Sequence, residues 1–202
     1  MTNTLPAGLT TLPGDHTLWE RVLTLNPLVV IGTRDCSRVA DLAPKHLAIP
    51  MSWENHFGFV CAPSHRTYQN IIRTRVFTVS YPKPTQLLLA SLAAAPRCDD
   101  GTKPEVAALP VFEAQVLDGV LLRDAYLCFE CRLDRFVEGL GGNGLVIGRI
   151  AAAHVDTEYL RDEARDDHDL IYRSPLLAYL HPGRTARVSE TCSFPFPAGF
   201  KR

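Results

Sequence analysis

The sequence predicts a mainly β chain with flanking helices, its strands curling toward a barrel. Short β-branched runs recur through the first half, and two long extended stretches, 125–138 and 145–155, meet across the segment GLGGNG at 139–144. Fifteen prolines and thirteen glycines cut the rest into elements too short for a helical bundle.

Taken in order, residues 1–15 form an N-terminal arm broken by Pro6, Gly8, Pro13 and Gly14. Leu18, Val22 and Leu25 recur at helical spacing beside Trp19, so a short amphipathic helix is expected, ended by Asn26-Pro27. LVVIGT at 28–33 reads as a buried strand, as do 57–61 and 76–81. Between those two, Ser64 is expected to cap a helix over 65–74. Pro82 and Pro84 end the third strand, and a helix over 85–94 follows, its LLLASLAAA run at 87–95 reading as buried. Pro96 and Asp99-Asp100-Gly101 mark a loop, and 112–117 is a further extended candidate. The charged stretch 159–170 has only Leu160, Ala164 and Leu170 as an apolar face, so it is expected as an exposed helix. The aromatic tail at about 193–202, with Phe194, Phe196 and Phe200 spaced by prolines, is not expected to be helical. No repeat or linker divides the chain, so a single domain over 1–202 is expected.

Composition narrows the function. Twenty-one basic and 22 acidic residues leave a formal net charge of −1, which offers no excess to neutralise nucleic acid or an anionic membrane. The longest apolar run falls well short of the roughly 20 residues that span a bilayer. The first residues lack the basic start and apolar centre of a signal peptide, so a cytoplasmic location is expected. Six cysteines are dispersed through a chain large enough not to need staples, and are expected as free thiols.

Several motifs have a plainer reading. Gly139, Gly141 and Gly144 match the dinucleotide pattern GxGxxG, but a strand-like segment follows rather than a helix, which makes this a hairpin turn. Cys128 and Cys131 have CxxC spacing without a second pair and fall inside an expected strand. The run Asp162, Glu163, Asp166, Asp167, His168 and Asp169 reads as a solvated helix face rather than a metal site. No GxSxG elbow is present. SHRTYQN at 64–70 is more informative, because it gathers Arg66, the Thr67 hydroxyl and free backbone N–H groups at a helix start, an arrangement that suits a phosphate.

GTRDCSRVADLAP at 32–44, SHRTYQNI at 64–71 and FTVSYP at 77–82 occur in an order and spacing that resemble the flavin-reductase-like FMN-binding family. FECRLDRF at 129–136, LVIGRIAAAHVD at 145–156 and SPLLAYLHPGR at 174–184 are similar to that family's later segments. The resemblance implies an FMN-binding split β-barrel, a homodimer with FMN near the interface, and hydride transfer from NADH or NADPH to flavin or a small-molecule acceptor, with no side-chain base required. Its alternative is a noncatalytic FMN-binding electron carrier or partner protein, and a weaker one a haem-binding barrel with His65 or His154 as axial ligand.

By position, the resemblance sets Asp41, Leu42, Ala43 and Pro44 along the flavin, and Arg66, Thr67 and Asn70 near its phosphate and ribityl chain. Asp41 stands where the family often has asparagine. Lys103 is a candidate for the flavin pyrimidine or an exposed loop lysine, and His154 faces the flavin or is a satisfied core residue. The aromatic tail is expected to pack over a subunit interface or the flavin edge.

Overall fold

In a computed structural model, which describes residues 5–199, the chain is built on a seven-stranded antiparallel sheet. The strands of this and two smaller sheets are β1 (Thr24–Pro27), β2 (Val29–Arg34), β3 (Ala40–Lys45), β4 (Ala48–Ser52), β5 (His56–Cys61), β6 (Val76–Tyr81), β7 (Val111–Glu113), β8 (Val120–Leu122), β9 (Leu127–Leu140), β10 (Asn143–Val155), β11 (Leu176–His181) and β12 (Arg184–Val188). Four helices accompany them: α1 (Arg66–Thr74), α2 (Leu87–Leu92), α3 (Pro104–Ala107) and α4 (Asp167–Arg173). The large sheet runs β3-β2-β6-β9-β10-β5-β4 and curls into a half-barrel; β1-β11-β12 and β7-β8 form two smaller sheets.

The LVVI run explains the core. Side chains alternate across a strand, so Val29 and Ile31 enter one apolar layer with Phe57, Phe59, Phe77 and Val79, while Leu28 and Val30 enter a second with Leu42, Val120 and Leu122. A strand covered on both faces has no reason to alternate apolar with polar residues.

The expected strands at 28–33, 57–61 and 76–81, the helix over 65–74 and the long hairpin are present. In that hairpin Asn143 pairs with Leu140, leaving Gly141 and Gly142 to make the reversal, and Gly139 and Gly141 adopt the positive φ angles of 86° and 63° that tight reversals need.

Five local expectations need correction. Residues 18–25 are not an amphipathic helix: after one 3₁₀ turn the chain enters β1, whose Leu25 pairs with Leu180 of β11, so ladder bonds override the helical spacing. Ser64 does not cap α1; His65 holds that position, with no side-chain bond. The LLLASLAAA helix is only half buried, since Ala90 and Ala93 face the core while Leu88 is 77% exposed. The strand at 112–117 stops at Glu113, because the N–H groups of Gln115, Val116 and Leu117 turn to the Glu130 carboxylate instead of a ladder. The helix expected over 159–170 begins only at Asp167, where the Asp166 side chain accepts from the His168 N–H at 2.7 Å and caps it; Asp162 spends its carboxylate on an earlier turn, to the Ala164 N–H. Phe194 and Phe196 of the tail are irregular, and their rings meet tilted, with centroids 4.7 Å apart; Phe200 lies outside the described residues.

The small sheet is joined to the turn after β3 by aromatic stacking: the His46 ring lies 4.4 Å from Tyr179 and 5.4 Å from His181. Burial, then the His181 and Lys45 charges, hold the His46 pKa below its usual 6.5. A depressed imidazole favours the neutral folded form, so the stability it contributes is present above pH 6.5 and lost as pH falls below it. His46→Phe keeps the ring and removes the titration. The wild-type Tm is expected to drop more than the variant's between about pH 7.5 and pH 5.5; equal drops would remove His46 from this role.

Candidate functional site

A cavity of about 550 Å³, within the roughly 300–1,000 Å³ usual for ligand pockets, opens between β3, the start of α1 and the segment that follows α2. The local chain explains its shape. A turn closed by the His65 N–H on the Ala62 carbonyl (3.0 Å) delivers His65 in extended conformation at the head of α1. With no side chain capping that end, the first-turn N–H groups of Arg66 and Thr67 remain available, and the helix dipole adds partial positive charge there.

The lining is cationic. Lys45, Arg66, Arg97 and Lys103 stand against one carboxylate, Asp41. Lys45 Nζ lies 3.5 Å from His65 Nδ1; burial first, and then this ammonium, hold the His65 pKa below its usual value, so the ring stays neutral at pH 7. Lys103 Nζ donates to the carbonyls of Leu42 (2.9 Å) and Ala93, and burial lowers its pKa against the pull of Asp41. Arg97 reaches Asp41 Oδ1 at 2.6 Å, an ion pair without directed hydrogen-bond alignment at that oxygen.

Asp41, Ala43 and Pro44 of the β3 group, together with Arg66, Thr67 and Lys103, are therefore brought to one cavity. Leu42 points to the second core layer and contributes only its carbonyl, as the alternation of a strand requires. Asn70 is fully buried beneath α1; its Nδ2 donates to Thr33 Oγ1 (3.0 Å) and its Oδ1 accepts from Arg73, so it docks the helix on β2 rather than facing the cavity. His154 does not line the cavity either: its Nε2 sits 2.8 Å from Glu130 Oε1. Sequence reasoning missed Lys45 and Arg97. Lys45 shares the Asp41 face of β3, two and four residues along from Ala43 and Asp41, a spacing that could have revealed it; nothing local marks Arg97, which arrives through a loop.

The remaining motifs resolve in structural terms. Cys128 and Cys131 are both buried in β9, three residues apart and hence on opposite faces, where they cannot share an ion; burial pushes the Cys128 thiol up to about 11. In the acidic run Asp167 makes a two-pronged ion pair with Arg161, and no group of three metal-ligating side chains occurs among the described residues. No helix among those residues is long and apolar enough to cross a membrane.

A second cavity of about 390 Å³ adjoins the first and shares Asp41, Arg66, Arg97 and Lys103 with it. Sheet order and curl define a split-barrel protein, in which the first of the two adjoining cavities has a lining of net positive charge. A profile of the flavin reductase like domain matches residues 23–181, and the chain belongs to that family. No curated protein sequence matches it. Among solved structures, it is similar to nitrilotriacetate monooxygenase component B from Bacillus cereus (TM-score 0.78, 18% identity, 94% of this chain and 100% of that one). It is similar also to 2-nitrobenzoate 2-nitroreductase from Pseudomonas fluorescens (0.77, 18%, 100% and 99%). A third is an FMN-binding protein from Thermus thermophilus solved with bound 1-cyclohex-2-enone (0.71, 20%, 94% and 99%).

Proposed function

We propose that the chain is an FMN-binding oxidoreductase that takes hydride from NADH or NADPH and passes it to flavin or a small-molecule acceptor. The observation that carries this reading is the uncapped start of α1 opening, with Arg66 beside it, onto a cation-lined cavity large enough for a ligand. That donor set fits a phosphomonoester. Arg66 and the Arg66 and Thr67 N–H groups would hold the phosphate, β3 from Asp41 to Lys45 would flank the ring, and Lys103 would supply positive charge nearby. Bound FMN would supply the hydride-accepting ring; the chain's own residues hold it, exclude water and set its electrostatics. The adjoining cavity is wide enough for a small second reactant, which hydride transfer requires in contact with the first.

Family membership and the three similar structures support this reading. Two further parts of it are that the protein works as a homodimer and in the cytoplasm. Exposed apolar side chains around β1 and β4, including Leu25 (67%), Ile49 (53%) and Trp53 (96%), form a surface that a second copy would cover.

The test is the visible spectrum of the protein with added FMN, before and after anaerobic NADH or NADPH. A bound flavin that bleaches supports the reductase. One that stays oxidised points to an electron carrier served by another donor, and no bound flavin overturns the reading. Arg66→Ala with Thr67→Ala is expected to weaken FMN binding on the order of 10- to 100-fold, the loss of one or two hydrogen bonds to a charged group. Unchanged affinity would move the phosphate elsewhere.

A further inference from the structure

The segment from Ala94 to Lys103 runs between the two cavities: Ala94, Ala95 and Pro96 line the first, Asp100, Gly101 and Thr102 line the second, and Arg97 and Lys103 line both. Arg97 is the residue common to both walls that ties this segment down by charge. Its Nη1 donates to the Gly101 carbonyl at 2.9 Å, folding the loop on itself, while Nη2 contacts Asp41 on β3. The Asp41 side chain is 7% exposed and that of Arg97 30%, so the carboxylate is poorly screened by water and its charge is felt in the cavity. With Asp41 ionised, the four cations and one anion of the lining sum to +3, and Asp41 alone opposes the rest.

Reduction of a flavin ring by two electrons and one proton adds one negative charge to it. A lining of net positive charge holds that product more tightly than the neutral oxidised ring, and each charge removed from the lining changes the preference. We propose that Asp41, tethered to Arg97 and offsetting its charge, limits the site's preference for reduced over oxidised flavin, so that reduced flavin is passed on or reoxidised rather than stored. This rests on the FMN reading above. Asp41 thereby lowers the cofactor's potential and Arg97 raises it, each offsetting the other, and Arg97 is a positioning residue for the loop as well.

The test uses FMN-loaded full-length protein, titrated anaerobically with dithionite as the electron source beside a reference dye, together with fluorescence titration of oxidised FMN. Asp41→Asn, which is isosteric, leaves +4 and is expected to raise the midpoint potential; Arg97→Gln leaves +2 and is expected to lower it. Each shift corresponds to a change on the order of tenfold in the ratio of affinities for reduced and oxidised FMN, the scale for one partly screened charge. The double variant restores +3 and is expected near the wild-type potential. A tether acting by shape alone would move both single variants in the same direction, which overturns the proposal, as does the absence of any shift. Should Arg97→Gln not fold, Arg97→Lys keeps the charge: a potential close to wild type supports the proposal, and one displaced like that of Asp41→Asn sinks it. Failure of the unaltered protein to bind FMN would instead overturn the reading on which this depends.

Discussion

Glu130→Ala is expected to cost about 3–5 kcal/mol of folding free energy, the range for leaving the partners of a buried charge uncompensated. Glu130 is fully buried near the start of β9, and its carboxylate accepts from the N–H groups of Gln115 (2.7 Å), Val116 (2.8 Å) and Leu117 (2.7 Å) as well as meeting His154 Nε2 at 2.8 Å. Alanine would strand three backbone donors at once, and the reversal that joins β7 to β8 has no other acceptor for them. Burial pushes the Glu130 pKa up, but His154 and these three N–H groups outweigh it and hold the carboxyl below its usual 4.5. A depressed carboxyl contributes stability that is present above that value and lost as pH falls through it. Urea denaturation at neutral pH measures the effect as a lower midpoint at unchanged slope; a loss below about 1 kcal/mol would show that the reversal is held by something else.

Gly32→Ala is expected to lower the Tm by roughly 2–12 °C, from an overpacking cost of about 1–3 kcal/mol. A Cβ at Gly32 would overlap the Val120 carbonyl oxygen and the Thr78 hydroxyl, which are themselves hydrogen-bonded to each other. One of these is backbone and cannot swing aside, so β8 must separate from β2. Gly32 pairs with Leu42 of β3, next to Asp41, so FMN affinity is expected to fall along with stability. Gly142→Ala in the hairpin turn, where nothing lies within 4 Å, is the control expected to leave the Tm unchanged. A Gly32 variant as stable as that control would show that β8 moves freely.

Where one element's neighbours were written into its own residues, the sequence was readable. The LVVI run announced a strand covered on both faces, and Ser64 to Asn70 announced a helix start, even though the expected cap was the wrong residue. The glycines at 139–144 announced a reversal because positive φ is a local demand. Local reading failed where a distant group captured the backbone. Strand β1 took its bonds from β11, and residues 115–117 took theirs from Glu130, so helical spacing in one case and β-branching in the other counted for nothing.

The same division runs through the site. From the sequence alone came the fold class, the family and the helix start near Ser64, because each rests on residues within a few positions of one another or on their order along the chain. Only the tertiary structure decided that Asn70 docks a helix, that His154 belongs to Glu130, and that Arg97 crosses from a loop 56 positions away to meet Asp41. Such pairings depend on which side chains the curled sheet brings face to face, and charge and hydrogen bonding act through space without regard to separation along the chain.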